Sequence, residues 1–171
     1  AAGKVLMGNF INKFDKEDIL GDVERVGSIL GVEMTSRGSG YTEPPLVAFT
    51  DSCDKGYGAY GEAIIDYNQN SPTFGQVIAV TITSQGEDYP VADEEDLYIK
   101  EVVIQQPGEG YVEGDEIAGF EICGVNSIGG ITCVKTPNNP YRELPKINFN
   151  VGTGAVLRPI MTKEIPQTEV V

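Results

Sequence analysis

Val32-Glu33-Met34-Thr35-Ser36-Arg37-Gly38-Ser39-Gly40-Tyr41 aligns without a gap with Val80-Thr81-Ile82-Thr83-Ser84-Gln85-Gly86-Glu87-Asp88-Tyr89. A third copy runs Val102-Val103-Ile104-Gln105-Gln106-Pro107-Gly108-Glu109-Gly110-Tyr111. In each copy apolar and polar residues alternate, the period of a strand with one face buried, and a turn rich in Gly, Pro or Asp then closes on Tyr. Gly38, Gly86 and Gly108 suit turn positions that need positive φ, which an L side chain resists. The tyrosine offers a ring to bury and a hydroxyl to hydrogen-bond locally. A row of sugar-stacking rings at Tyr41, Tyr89 and Tyr111 is the rival reading, but one tyrosine per turn in register is explained first by architecture.

Working outward, the unit lengthens. Tyr41, Pro45, Val47 and Phe49 match Tyr141, Pro145, Ile147 and Phe149 at one constant offset, and Gly56-Tyr57-Gly58-Ala59 has its counterpart in Gly152-Thr153-Gly154-Ala155. The full unit therefore reads as strand, Tyr turn, proline-led strand, Gly-x-Gly-Ala turn and a further strand over residues 63–66 and 156–161. Proline cannot donate to a ladder, which places Pro45 and Pro145 at strand starts or sheet edges. Gly40, Gly110 and the fourth tyrosine, Tyr141, join the set of structural turn residues. The turn tyrosines are unevenly spaced, which argues against a regular propeller or β-helix. The expected fold is all-β: degenerate strand-turn repeats forming a compact body, sandwich-like or solenoid-like, in which each unit covers its neighbour's apolar face.

The β pattern is absent before Ile29. Asp15 is placed to cap a short helix over about residues 16–25, with Ile19, Val23 and Val26 on one face, although Gly21 weakens it. The division that follows is a connecting or oligomerisation segment over 1–28, a repeat-built β domain over 29–161 and a C-terminal tail over 162–171. The sequence starts without Met and without a signal-peptide pattern, as expected of a trimmed chain or a fragment.

Twelve basic against 26 acidic residues give the 171-residue chain a formal charge of −14. Such a field repels phosphate backbones and anionic lipid surfaces, so neither nucleic acid nor a membrane surface is an expected partner. No stretch approaches the roughly 18 apolar residues of a membrane helix. The acidic residues are interspersed except at Asp93-Glu94-Glu95-Asp96, which reads as a solvated loop, with calcium as the alternative; the EF-hand order of ligands is missing.

Chemistry is not expected. The chain has no histidine, which removes Ser-His-Asp and Cys-His nucleophile systems and histidine-bound zinc. Cys53, Cys123 and Cys133 contain no Cys-x-x-Cys spacing. Cys123 and Cys133 lie symmetrically about Ile128, where a loop over residues 126–130 joins two antiparallel strands. That spacing allows a cross-strand disulfide, but two reduced, buried thiols acting as small apolar side chains are favoured over it. A glycosidase-like carboxylate pair is not singled out among so many acids, and there is no Trp to wall a sugar cleft. Neither Gly38-Ser39-Gly40 nor Gly56-Tyr57-Gly58 leads into the Lys-Ser/Thr and helix of a phosphate loop.

The run Thr35-Ser36-Arg37-Gly38-Ser39-Gly40-Tyr41-Thr42-Glu43-Pro44-Pro45-Leu46-Val47 resembles Gly-x-Gly-Tyr-proline repeats of large virion proteins of contractile-tailed phages, particularly those of marine cyanobacteria. Gly108-Glu109-Gly110-Tyr111-Val112-Glu113-Gly114-Asp115-Glu116-Ile117 is similar to a sister form in which Gly-Asp replaces the prolines. Leu144-Pro145-Lys146-Ile147-Asn148-Phe149-Asn150, with the following Gly-x-Gly-Ala, is similar to segments of the same proteins. The resemblance covers about residues 29–161, and related repeats also occur in bacterial surface adhesins. It implies a virion component of the tail, baseplate, spike or fibre, usually trimeric where fibrous, with itself and other virion proteins as partners. It carries over no catalytic residue and no cofactor. The copy at Tyr89 lacks the prolines, which departs from a rod of equal units. The alternative is a carbohydrate-binding receptor or adhesin module, with Tyr57, Tyr60 and Tyr67 lining a site for a host surface glycan; a polysaccharide hydrolase ranks third.

Overall fold

The computed structural model describes residues 1–14, 23–51, 54–91 and 94–165, and among them there are strands and turns but no helix. Three long strand pairs carry the body. Strand β1 (Ala2–Phe14) pairs antiparallel with β2 (Val23–Ser36), and β3 (Tyr57–Ile65) with β4 (Val77–Glu87). The third pair closes across the sequence, β6 (Tyr98–Gln106) against β10 (Val156–Thr162). A short β5 (Tyr89–Pro90) adds to β2, and β7 (Glu116–Ile117), β8 (Phe120–Val125) and β9 (Ile131–Lys135) form a small meander.

The three long pairs are one structure repeated. Ala2 faces Ser36, Tyr60 faces Ser84 and Val156 faces Gln106. Directly after each of these positions the register slips, between Ala2 and Gly3, Tyr60 and Gly61, and Val156 and Leu157. It slips again between Leu6 and Met7, Ile64 and Ile65, and Ile160 and Met161. A bulge inserts one residue and turns the strand's faces locally, so two bulges at matched positions give all three pairs the same bend. Strand β1 is thus a copy of β3 and β10. Its signal, the glycine at Gly3 matching Gly61, lies in the segment read as unrepeated.

The alternation expected from the repeats is what buries the core. Ile29, Val77, Val80, Ile82, Ala63, Ile65 and Tyr89 form one cluster, with Met34, Val47 and Phe49 packed against it. Leu6, Leu30, Leu97, Ile99, Phe120 and Met161 form the second, with Leu144, Ile147 and Phe149 against it. Leu6 and Leu30 come from β1 and β2, so the two halves of the chain share apolar contact. A Cβ added at Gly31 would stand 3.1 Å from that of Met161, which requires a small residue where β2 meets β10.

Two expectations are corrected here. Of the helix expected over 16–25, residues 15–22 lie outside the described residues, and Val23, Glu24 and Arg25 are in β2, paired with Phe14, Lys13 and Asn12. Strand-strand hydrogen bonding is available there because β1 runs alongside, a partner that helical periodicity cannot reveal. The proline-led segments are extended but are not ladder strands: the first makes one isolated bridge, Leu46 with Glu62, and residues 144–150 make none. Pro45, Val47 and Phe49 nevertheless turn inward and alternate with exposed neighbours. The prolines remove donors from these segments, which are held by side-chain burial instead.

Candidate functional site

The Gly-rich turns interlock. Glycine 56 lies directly beneath the ring of Tyr89, so closely that a Cβ would overlap Cδ1, Cε1 and Cγ of that ring. Tyr111 covers Gly152 in the same way, with a Cβ there falling 2.5 Å from Cδ1 and Cγ. In the Tyr89 and Tyr111 turns the first glycine meets the middle of the facing Gly-x-Gly-Ala. A Cβ at Gly86 would lie 2.6 Å from Tyr57 O and 2.7 Å from Ala59 N, and one at Gly108 would lie 2.5 Å from both Thr153 O and Ala155 N. Real Cβ atoms do not approach backbone this closely, so glycine at Gly86 and Gly108 is a packing requirement as well as a conformational one; their φ values are 69° and 68°.

The tyrosine hydroxyl reaches further than its own turn. Ala155 N donates to Tyr111 Oη at 3.2 Å, and the amino group of Ala1 donates to Tyr41 Oη at 2.9 Å. Those partners are 44 and 40 residues away, in place of the local hydrogen bond expected from the sequence.

The backbones of the same turns tie the strand pairs together reciprocally. Tyr41 N donates to Gly75 O at 2.9 Å, in the lead into β4, while Tyr89 pairs with Gly27 of β2. Likewise Tyr111 N donates to Gly129 O at 2.9 Å, in the lead into β9, and Tyr141 exchanges two bonds with Leu97 at 2.6 and 3.0 Å. Each strand pair therefore holds its neighbour by its own Tyr turn and is held in return. Of the nine turn residues named from the sequence, Gly86 lies within β4 and Tyr89 begins β5, and the others lie outside the strands.

Tyr57 and Tyr60 lie on β3 and Tyr67 follows it; they are 55%, 65% and 55% exposed. None of them lines a described cleft. A cleft of about 300 Å³ is lined by Ala1, Met34, Tyr41, Leu46 and Phe49 among others. Leu46 is fully exposed at its rim.

The acidic loop is not simply solvated. Asp93 lies outside the described residues, but Glu94 pairs with Arg142 at 3.0 Å and with Arg25 at 3.9 Å, Asp96 with Arg142 at 3.1 Å, and Glu95 with Lys163 at 3.0 Å. Hydrogen bonding from Arg142 to Asp96, with the charges of Asp96 and Glu94, raises the Arg142 pKa further above its ordinary value. The loop joins strand β2, the Tyr141 turn and the end of β10 through charge. Among the described residues no three His, Cys, Asp or Glu side chains converge as a metal-holding group.

Cys123 and Cys133 are bonded as a disulfide with Cα atoms 5.0 Å apart, which corrects the expectation of two reduced core thiols. The loop over 126–130 does join β8 to β9. The bulge at Cys123 sets Gly124 opposite Cys133 and removes Cys123 from the ladder. Neither cysteine belongs to the buried core, whose places on these strands are taken by Phe120, Ile122 and Ile131. Cys53 lies outside the described residues.

A further device was not marked in the sequence. Asp66, at the end of β3, accepts from Thr73 Oγ1 at 2.5 Å and from Asn68 N at 2.9 Å. Hydrogen bonds from Ser71 and Thr73, then Asn68, hold its carboxyl below the ordinary carboxylate range. The Asp66-x-Asn68 spacing with Ser71 and Thr73 is the signal of a turn anchor. Comparison with protein-family models, with curated proteins and with solved structures finds no match for this chain.

Proposed function

We propose that this chain is a structural module of a phage virion, a part of the tail such as spike, baseplate or fibre, that works by rigid assembly with copies of itself and neighbouring virion proteins. The reading rests on the resemblance of its Gly-x-Gly-Tyr repeats, and the observation that supports it best is the reciprocal locking of four Tyr turns. That arrangement uses most of the chain's glycines and turn tyrosines to fix strand pairs against one another, a mechanical role rather than a catalytic one. The module acts without cofactor, as a homotrimer, in host attachment or penetration. Light scattering over a range of concentrations tests it: a stable trimer carries the spike or fibre reading, and a strict monomer speaks against it.

The exposure of Tyr57, Tyr60 and Tyr67 favours a second reading, a module that binds host surface glycans. Glycan-array binding that is lost in Tyr57→Ala or Tyr60→Ala selects it over the structural one.

A further inference from the structure

Each long strand pair carries an extra residue at its second bulge, and the three are not alike. Leu6 and Met7 face Gly31 and Ile29, Ile64 and Ile65 face Ala79 and Val77, and Ile160 and Met161 face Glu101 and Ile99. Leu30, Ile78 and Lys100 are therefore the extra residues, released from the ladder and re-aimed as bulge residues are. Leu30 is fully buried in the second core cluster. Ile78 and Lys100 line one cleft of about 940 Å³, so a cation stands there where the other two copies have an apolar side chain.

The cleft lies where β2 and β10 part. The two strands meet at Gly31 and Met161, and beyond that contact the end of β2, the start of β4 and residues 160–165 wall the space. Val77 N donates to Arg37 O at 3.0 Å, which fixes the end of β2 against β4 and sets Arg37 at the cleft. The floor is apolar, built from Met34, Ile78, Ile160 and Met161. The charges around it divide into paired and unpaired. Glu33 has Lys4 directly opposite it in the ladder, and Lys163 is paired with Glu95 at 3.0 Å. Arg37 and Lys100 take part in none of the ion pairs among the described residues. Against those two cations the described lining sets only Glu164. That reverses the balance of a chain with 12 basic and 26 acidic residues, and a locally positive cleft in a negative field draws carboxylates to itself.

We propose that this cleft is a docking groove for an extended acidic peptide segment of a partner protein, with apolar side chains seated on its floor and flanking carboxylates bonded to Arg37 and Lys100. Arginine takes a carboxylate in two parallel hydrogen bonds and lysine takes one as a point charge. A cleft of this size with an apolar floor suits a chain segment rather than a single inorganic anion, and the negative charge of the rest of the chain repels a phosphate backbone. The groove defines a kind of partner that the assembly reading leaves open, and it stands without that reading.

The test titrates the peptide acetyl-Asp-Val-Ile-Val-Glu-amide into the isotope-labelled full chain and follows backbone amide resonances. Saturable shifts are expected at Ile78, Ala79 and Lys100, with none at Ser127 or Ile128 in the β8–β9 loop. Arg37→Gln and Lys100→Gln should each weaken binding about tenfold, the loss of one charge-assisted hydrogen bond, whereas Arg37→Lys and Lys100→Arg should retain most of it. Raising the ionic strength from about 0.05 M to about 0.5 M should weaken it several-fold. Absence of saturable shifts, undiminished binding in the double variant Arg37→Gln, Lys100→Gln, or equal binding of acetyl-Asn-Val-Ile-Val-Gln-amide would overturn the proposal. So would tighter binding of dodecanoate than of the peptide, which assigns the cleft to a single-chain amphiphile. Binding that appears only after residues 166–171 are removed would overturn it as well, by assigning the cleft to this chain's own C-terminal residues.

Discussion

The ring of Tyr89 lies on Gly56 with no space for a β-carbon between them, although 32 residues of chain, including the whole of strands β3 and β4, separate the two. Tyr89 is 6% exposed and belongs to the first core cluster. The contact closes the β3–β4 pair at its open end and fixes where the next segment leaves.

Gly56→Ala should therefore destabilise the protein by about 2–3 kcal/mol, the cost of overpacking against a ring that cannot move. Gly40→Ala meets no steric neighbour and carries only the backbone penalty of its φ of 76°, about 1–2 kcal/mol. Urea unfolding of both variants checks the order; a larger loss for Gly40→Ala would show that conformation, not ring contact, dominates these turns.

Tyr111→Phe keeps the ring over Gly152 and removes only the acceptor for Ala155 N. A loss of about 1 kcal/mol is expected, the usual net value of one hydrogen bond. Tyr111→Ala removes the ring and should cost about 3 kcal/mol. The same pair of chemical denaturation curves separates hydroxyl from ring, and equal losses in the two variants would contradict the packing account.

The disulfide spans a sequence separation of 10, for which the loss of loop-closure entropy corresponds to about 2–3 kcal/mol. The double variant Cys123→Ser, Cys133→Ser should unfold at correspondingly lower urea, and addition of dithiothreitol to the parent should reproduce the loss. Calorimetry with and without reductant decides the matter; insensitivity to reductant would mean that the β8–β9 meander does not limit global stability.

Asp66 has its pKa lowered in the folded state by hydroxyl and amide donors. A carboxyl held lower when folded than when unfolded adds stability above its unfolded value, about pH 4. That stability is lost as pH falls through the folded value. Asp66→Asn should be less stable than the parent at neutral pH and should narrow the gap below pH 4. Melting curves from pH 7 to pH 2 would refute the assignment if both proteins declined in parallel.

The three Tyr turns that open with glycine, at Gly38, Gly86 and Gly108, were legible in sequence because their causes are local: positive φ needs glycine, and a ring needs somewhere to be buried. The cost of each misplaced β-carbon is paid within a few ångströms, so the pattern survives as residue identity. Strand β1 stayed hidden because a bulged copy keeps few identities, only Gly3 among its glycines matching Gly61, while its first two register shifts match those of β3 and β10. The sites with specific partners were less legible still. Nothing in residues 94–96 indicates that Arg25, Arg142 and Lys163 will surround them, since charge pairing depends on which segments meet.

By itself, then, the sequence determined an all-β chain, the residues of its four Tyr turns and the matching Gly-x-Gly-Ala segments. Tertiary structure alone decided that the rings of Tyr89 and Tyr111 lie on Gly56 and Gly152, that β6 closes with β10 across the β7–β9 meander, and that the cysteines are joined. The physical reason is separation in range. Conformational preference acts within a turn and leaves its mark on every residue, whereas ring contact, ladder closure and thiol pairing form between segments tens of residues apart, where many partners satisfy the same local pattern and packing selects one.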